Sequence, residues 1–397
     1  MEFRSSGFAA VLPRPGRAEL LPKARLGLIV ALSVMFSASF GLINSLRAYL
    51  MNTSGRRAIA FWLFACCFMV LATLVVGGVT RLTHSGLSIV EWQPIVGTMP
   101  PVSLSDWQEV FGKYQQTPEY QQVNHQMSLA EFKPIFWLEY IHRLLGRSIG
   151  MVFLLPFLYF LWRRQIDAEL APKLAGIFVL GALQGAMGWY MVKSGLVADP
   201  RVSQYRLTAH LGLAFIIFAA MFWVALGVLA ERQSARLQRG GARLCSLQRL
   251  AAWLALVVLL MVLSGGFVAG LHAGLAYNSF PLMYGHFLPP DLFALTPGLT
   301  NFFDNPTTAQ FDHRLIAWLL VFLVPYFWLK SRRTDLGREA RLACHLLLLL
   351  FALQFGLGIM TLLLAVPVPL AVAHQAGAMI LFANLLWLNH LLRLKAA

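Results

Sequence analysis

Eight long apolar stretches constrain the fold of this chain more than any other feature of its sequence. Each holds about 20 residues, the length of helix that crosses a hydrocarbon layer of roughly 30 Å. The charged fraction is only 12%, about half that of a soluble domain, so much of the surface must face lipid. The stretches cover residues 61–79, 135–162, 174–192, 207–229, 250–270, 311–329, 342–366 and 370–388. The sequence therefore predicts an all-α polytopic membrane protein with eight transmembrane helices.

The chain carries 32 Lys and Arg against 17 Asp and Glu, a net charge of +15, and the placement of these charges predicts the topology. Basic residues cluster in alternate connections, around residues 163–173, 232–249 and 330–341, and again near the C-terminus. The positive-inside rule places these segments in the cytoplasm, so both termini of the eight-helix core lie inside and the two long loops lie outside. We therefore expect the lipid bilayer around the protein and no nucleic-acid partner.

Residues 1–57 do not fit this topology. A helix across residues 26–44 would place Arg47, Arg56 and Arg57 outside and would invert every span that follows. We expect an atypical N-terminal extension that is not part of the mature core. It is either a targeting segment or an over-long reading of the gene, in which Met51 is the working start.

The remaining sequence contains an internal duplication. The first and fifth stretches end in GGVTRLTHSGLS and GGFVAGLHAGLA, and the second and sixth open with EYIHRLLG and QFDHRLIA. The third and seventh contain LQGAMG and LQFGLG, and the fourth and eighth contain LTAHLGLA and AVAHQAGA. Because equivalent spans run in the same direction, the repeat is parallel and predicts two four-helix bundles side by side. We expect these bundles over residues 58–230 and 250–397, joined by a cytoplasmic linker over 231–249.

Four histidines occupy matched positions in the repeat: His142, His210, His313 and His374. Each falls within about the first two turns of a span that enters from the outer side, so we expect all four imidazoles near the outer leaflet. Two imidazoles from two helices of one bundle can hold a haem iron between them, and the duplication predicts two such sites. Helix packing often explains a single intramembrane histidine, but it does not explain four at matched positions. Zinc fits less well because no cysteine or carboxylate cluster accompanies the pairs.

The two halves differ three residues before the first histidine of each pair, where Glu139 in the first half corresponds to Gln310 in the second. An acid inside a membrane is costly and by default functional. Glu139 is therefore the candidate catalytic carboxylate, either as a general acid or base or as a stabiliser of developing positive charge. The alternative is a structural ion pair with Arg143 or Arg147.

Other polar residues near the outer ends of the spans have less definite roles. His84 and His272 repeat just beyond the first and fifth stretches, where we expect them to lie at an interface or to support a ligand. The candidate partners of haem propionates are arginines, with contact to lipid headgroups as the alternative. These arginines are Arg81, Arg143, Arg147 and Arg314.

From about residue 58 to the C-terminus the chain resembles the haem A synthases, in particular the subgroup of mitochondria and proteobacteria. The resemblance rests on GGVTRLTHSGLSIVEWQPIVGTMPP, on EFKPIFWLEYIHRLLGR and YRLTAHLGLA, and on GLAYNSFPLM with FDHRLIAW and VAHQAGA. Some members of that family carry a cysteine pair in the first outer loop, which this chain lacks. A mechanism that needs a thiol there is therefore not available to it.

The resemblance implies that the protein oxidises the C8 methyl group of haem O, supplied by haem O synthase, to the formyl group of haem A. The reaction passes through a hydroxymethyl intermediate and serves the assembly of cytochrome c oxidase. It implies that His142 and His210 ligate substrate haem beside Glu139, while His313 and His374 hold a haem B cofactor. The expected location is the bacterial inner membrane, with the mitochondrial inner membrane as the alternative.

Two other functions remain open at this point. Diheme b-type electron carriers also place paired histidines on a four-helix bundle, but they usually stack both haems across the membrane. A transporter built on repeats would be expected to contain helices broken near the midplane, for which the sequence gives no strong indication. The sequence also leaves open the electron acceptor, the source of oxygen and self-association as a homo-oligomer.

Overall fold

The computed structural model describes residues 54–92, 96–196, 200, 202–230 and 242–396. Most of the expected extension and the first part of the expected linker lie outside the described residues. The described part contains helices and loops, with no β-strand apart from one isolated bridge between Met283 and His286. This agrees with the predicted all-α class.

Eleven α-helices make up the described part of the chain. Eight of them are long and apolar enough to cross a membrane, which confirms the predicted number of spans. The other three are the short helices α2, α3 and α8 in the outer loops. In chain order the helices are α1 (Ser54–Leu82), α2 (Leu104–Gln115), α3 (Pro118–Gln122), α4 (Leu129–Trp162), α5 (Leu170–Gly195), α6 (Gln204–Ala230), α7 (Ala242–Gly270), α8 (Asn301–Asp304), α9 (Pro306–Ser331), α10 (Arg338–Leu363) and α11 (Val368–Ala396).

The eight long helices pack as two rings of four. In the first ring α1 packs on α4, α4 on α5, α5 on α6 and α6 on α1. In the second ring the order is α7, α9, α10 and α11, with α11 closing back on α7. The rings meet through α6 with α7, α1 with α11 and α6 with α11, where the tilted aromatic rings of Phe215 and Phe382 have centres 5.8 Å apart. This packing matches the predicted pair of parallel four-helix bundles.

The helix α4 begins earlier than its apolar stretch suggests. Ser128 caps its N-terminus: the hydroxyl accepts from the backbone N–H of Glu131, whose carboxylate accepts from the backbone N–H of Ser128. This capping box starts the helix at Leu129, so His142 lies in the fourth turn and not in the first two. The other three histidines lie six or seven residues into their helices, as expected. The extra turns of α4 rise above the bundle on its outer side.

The first outer loop packs on this extension as a small core of its own. Trp107 of α2 meets Phe136 of α4 edge-on at 5.1 Å, and Tyr114 stacks on Phe132 at 5.0 Å. Glu91 pairs with Lys113 at 2.9 Å, which ties the beginning of the loop to α2. Aromatic residues in this loop therefore stabilise a folded cover above the first bundle.

Candidate functional site

The second bundle brings the rings of His313 of α9 and His374 of α11 close together. Their ring centres are 6.5 Å apart and their planes make an angle of 73°. A metal–imidazole bond is about 2.0 Å long and the ring centre lies roughly 1.2 Å behind the nitrogen, so rings on opposite sides of one iron have centres about 6.4 Å apart. The two side chains are therefore spaced for bis-imidazole ligation of a haem iron.

Neighbouring side chains hold both of these rings. The hydroxyl of Ser264 lies 2.8 Å from Nδ1 of His313 and itself donates to the carbonyl of Met261 at 2.8 Å. It therefore accepts from Nδ1–H, which leaves Nε2 of that ring with the lone pair that a metal needs. The amide of Gln354 lies 3.1 Å from Nδ1 of His374 and donates to the backbone carbonyl of the same residue at 2.8 Å.

A glycine on the preceding long helix lies against each of the four histidine rings. A Cβ atom at these glycines would approach Cε1 of the ring to between 2.7 and 3.2 Å, closer than side chains normally pack. Only glycine therefore leaves the rings where they are. The pairs are Gly77 with His142, Gly188 with His210, Gly265 with His313 and Gly358 with His374. Since all four pairs correspond in the repeat, the same local cradle occurs twice in each bundle.

The adjacent glycines in the two GG pairs have a different task. Gly78 of α1 lies against Gln375 of α11, and Gly266 of α7 lies against Thr208 of α6. In each GG pair, the first glycine therefore contacts an imidazole, and the second contacts a helix of the other bundle. This explains why the motif recurs at the end of the first span of each half.

The first bundle repeats the histidine pair with fewer fixing contacts. His142 of α4 and His210 of α6 lie on two helices of the same ring, each against its own glycine. The amide of Gln184 lies 3.4 Å from Nε2 of His210 and donates to the backbone carbonyl of that residue at 3.1 Å. At the position of Ser264, however, this half has Val76, so His142 lacks the hydroxyl that orients its counterpart.

Glu139 is 2% exposed and every lone-pair direction of its carboxylate points at a donor. Oε2 accepts from the backbone N–H and hydroxyl of Ser88, both at 2.7 Å, and from the backbone N–H of Ile89 at 2.9 Å. Oε1 accepts from Nε and Nη2 of Arg143 at 2.9 and 2.5 Å. The carboxylate therefore fixes the segment after α1 onto α4, one helical turn from His142. The ion pair with Arg143, which the sequence left as the alternative to a catalytic role, is present.

Gln310 takes the same place in the second bundle with neutral chemistry. Its Nε2 donates to the carbonyl of Ala273 at 2.7 Å, and its Oε1 accepts from Arg314 at 3.0 Å. The arginines also correspond: Nη2 of Arg143 donates to the carbonyl of Ile89, and Nη2 of Arg314 donates to that of Tyr277. The two pockets therefore share a scaffold but differ by one buried negative charge.

The four arginines considered as propionate partners all contact protein carbonyls. Arg147 donates to the carbonyl of Gly97 at 3.0 Å, and Arg81 donates across the bundle interface to Ala269, its own counterpart in the repeat. Arg143 and Arg314 make the bonds just described. These contacts place all four near the outer ends of the bundles and use part of their hydrogen-bonding capacity.

His84 and His272 meet between the two halves. Their rings are parallel within 6° with centres 6.2 Å apart, and both residues have a left-handed backbone with φ of 53° and 54°. Their place is therefore at the interface of the two bundles.

Sequence reasoning missed several residues that contact the histidines. Gln184 and Gln354 stand at the same place in the LQGAMG and LQFGLG strings, so the repeat carried a signal for them. Ser264 carried none, because its counterpart is Val76 and a single serine in an apolar helix has no distinguishing pattern.

Comparison with known proteins places this arrangement in a family. The COX15-CtaA family model, described as cytochrome oxidase assembly protein, matches residues 60–386. The chain belongs to the COX15-CtaA family. It is 64% identical over 338 residues to a protein of Nitrosospira multiformis named Heme A synthase, covering 85% of this chain and 94% of that protein. It is 58% identical to the Heme A synthase of Nitrosomonas eutropha over 335 residues, 84% of this chain and 94% of the relative.

The COX15-CtaA family also extends to mitochondria. Heme A synthase COX15 of Bos taurus is 44% identical over 348 residues, 86% of this chain and 84% of the relative. The resemblance inferred from the motifs is confirmed by these matches.

Proposed function

We propose that this protein is a haem A synthase of the inner membrane, which oxidises the C8 methyl group of haem O to the formyl group of haem A through a hydroxymethyl intermediate. The observation that carries the proposal is the duplicated histidine pair with one acidic and one neutral pocket. The names of relatives up to 64% identical support the same reaction. The product serves the assembly of cytochrome c oxidase, in line with the description of the family.

In this proposal one pocket holds a resident cofactor and the other holds the substrate. We assign haem B to His313 and His374, because their 6.5 Å separation and the Ser264 contact suit a permanently held iron. When bound there, haem B supplies an iron that accepts and passes on single electrons. We assign haem O to His142 and His210, where fewer contacts fix the rings and a ligand must leave after each turnover.

Glu139 is the catalytic carboxylate of the substrate pocket in this proposal. Five hydrogen bonds from Ser88, Ile89 and Arg143 already occupy its two oxygens and hold them in place. We therefore favour stabilisation of positive charge that develops on the substrate over repeated proton transfer. Arg143 offsets part of this charge, while the neutral donors of Ser88 and Ile89 hold the carboxylate in one orientation.

The outer arginines complete the assignment. Arg81, Arg143 and Arg147 lie at the outer end of the first bundle and Arg314 at that of the second, where propionates of haems held by the histidines would meet cations. The folded cover of the first outer loop would limit the access of water to the substrate pocket.

The proposal is tested by purifying the protein from cells that make haem O and identifying the extracted haems by chromatography and mass. We expect haem B together with haem O, its hydroxymethyl derivative or haem A. His313→Ala should lose haem B, whereas His142→Ala should keep haem B and lose the other haems. Haem B alone, from cells in which haem O is demonstrably present, would refute the proposal and favour a pure electron carrier.

A further inference from the structure

One cationic side chain of the first bundle is not used by the site described above. Arg206 lies near the start of α6, with its guanidinium 5.2 Å from the ring centre of Tyr190 on α5. The repeat pairs these two residues with Leu370 and Met360 in the second bundle. A cation held against an aromatic ring is therefore present beside one histidine pair and replaced by two apolar side chains beside the other.

Arg206 precedes His210 by four residues. Residues four apart in a helix lie one above the other on the same face, so Arg206 lies one turn toward the outer side from the histidine. Gly188, which cradles His210, lies on the same helix as Tyr190. The arginine thus belongs to the rim of the first pocket.

The hydrogen bonding of Arg206 is incomplete. Its Nε atom is buried, and no acceptor among the residues that the structure describes bonds to it. A buried donor of a charged group without a partner is strongly unfavourable, and most such groups in folded proteins find one. The ring of Tyr190 attracts the positive charge but offers no acceptor in the plane of the guanidinium. The edge of the guanidinium therefore remains available to a ligand.

We propose that Arg206 binds a carboxylate of the substrate porphyrin. A planar guanidinium matches a carboxylate with two parallel hydrogen bonds, and a haem carries two propionates. The ring of Tyr190 restrains the guanidinium, whose Cζ lies 5.2 Å from the ring centre, so that less side-chain entropy is lost when the carboxylate arrives. The inference rests on the proposed function, since it requires that the first pocket accepts haem O.

The asymmetry of the repeat agrees with this role. A resident cofactor held by two well-oriented imidazoles loses little by having Leu370 at this position. A substrate that enters and leaves needs additional contacts that orient it before reaction. Both haem B and haem O carry propionates, so Arg206 adds affinity and orientation to the first pocket and does not distinguish between the two haems.

The experiment measures the binding of haem O and of its dimethyl ester to full-length protein that contains haem B. Binding to the first pocket is measured from the change of the absorption spectrum on addition of haem, in wild type and in Arg206→Gln. We expect Arg206→Gln to weaken haem O binding by about tenfold or more, the value of a charge-assisted hydrogen bond. Esterification should weaken binding to wild type by a similar factor and have little further effect in the variant.

Matched variants separate this role from a general effect on the fold. Arg332 also lies over an aromatic ring, 5.1 Å from that of Trp328, but at the other end of the second bundle, so Arg332→Gln should bind haem O like wild type. Arg206→Lys should retain part of the affinity, and Arg206→Leu should resemble Arg206→Gln. The spectrum of haem B should be unchanged in all of them. If Arg206→Gln does not fold, Tyr190→Met is the second test, with a smaller loss of haem O affinity.

A phosphate of a lipid headgroup is the other anion that could reach this guanidinium. Lipid extraction tests it in the same preparations: loss of a tightly bound anionic phospholipid from Arg206→Gln, with haem O affinity unchanged, would overturn the proposal. Equal effects of esterification in wild type and variant would overturn it as well. If wild type itself does not bind haem O, the proposed function fails together with this inference, whereas normal binding by Arg206→Gln refutes the inference alone.

Discussion

The glycine that cradles each histidine allows a sharp test of the haem sites, and Gly358→Ala is the clearest case. The new methyl group would lie 2.9 Å from Cε1 of His374, whereas ordinary contact begins at 3.4 Å. The ring must therefore retreat by at least about half an ångström, because the helix backbone behind the methyl group cannot move independently. An iron–nitrogen bond cannot stretch by that amount, so the ring tilts or the haem shifts.

Overpacking of this kind costs about 1–3 kcal/mol, which corresponds to a loss of haem affinity of roughly 5- to 150-fold. The assay is the haem B content per protein after purification, followed by transfer of haem to an excess of a haem-binding competitor. We expect Gly358→Ala to lose haem B faster than wild type and to show an altered spectrum of the iron.

Gly356→Ala is the matched control, since a Cβ atom there meets nothing within 4 Å and the position is about 200° around the helix from Gly358. Gly265→Ala should have a milder effect than Gly358→Ala, because its Cβ would stop 3.2 Å from Cε1 of His313. If Gly358→Ala retains haem B as firmly as Gly356→Ala, the assignment of this histidine as an iron ligand is refuted.

Three further changes test other contacts. Glu139→Gln should keep both haem sites but lose product formation, because an amide at this place removes the charge and turns an N–H toward the backbone donors of Ser88 and Ile89. Conversion of haem O at the wild-type rate in this variant would contradict the catalytic assignment. Ser264→Ala should weaken haem B retention by about 10- to 100-fold, as expected when the partner of a ligating histidine is lost. Val76→Ala at the equivalent position of the first bundle should leave haem B unaffected. Equal haem B retention in the two variants would show that the Ser264 hydroxyl does not support His313. Asp304 accepts hydrogen bonds from Gln204 at 2.5 Å and from Tyr205 at 2.9 Å. Asp304→Asn should therefore lower the free energy of unfolding by about 1–3 kcal/mol, measured by thermal unfolding in detergent. An unchanged unfolding transition would show that this contact does not hold the second outer loop to α6.

Much of the site could be predicted from the sequence, because membrane-spanning helices produce local patterns of hydropathy and charge. Hydrocarbon requires long apolar helices, and alternating basic loops orient them, so the spans, the repeat and the depth of three histidines could be predicted without tertiary structure. The early start of α4 was missed because a capping box is polar and lies outside the apolar stretch. The contacts that make the first outer loop a small core of its own could not be predicted, because composition does not reveal that its aromatic side chains pack on each other and on α4.

The sequence alone determined the eight helices, their duplication and the four histidines at equivalent positions. Only the tertiary structure decided which glycine faces which imidazole, that Ser264 orients His313, that five donors surround Glu139, and that Arg206 lies over Tyr190 with a free edge. The physical reason is that hydropathy and periodicity describe single helices, whereas these contacts depend on how neighbouring helices rotate and slide against one another. That rotation is set by close packing of side chains from distant parts of the chain, and a one-dimensional pattern contains little information about it.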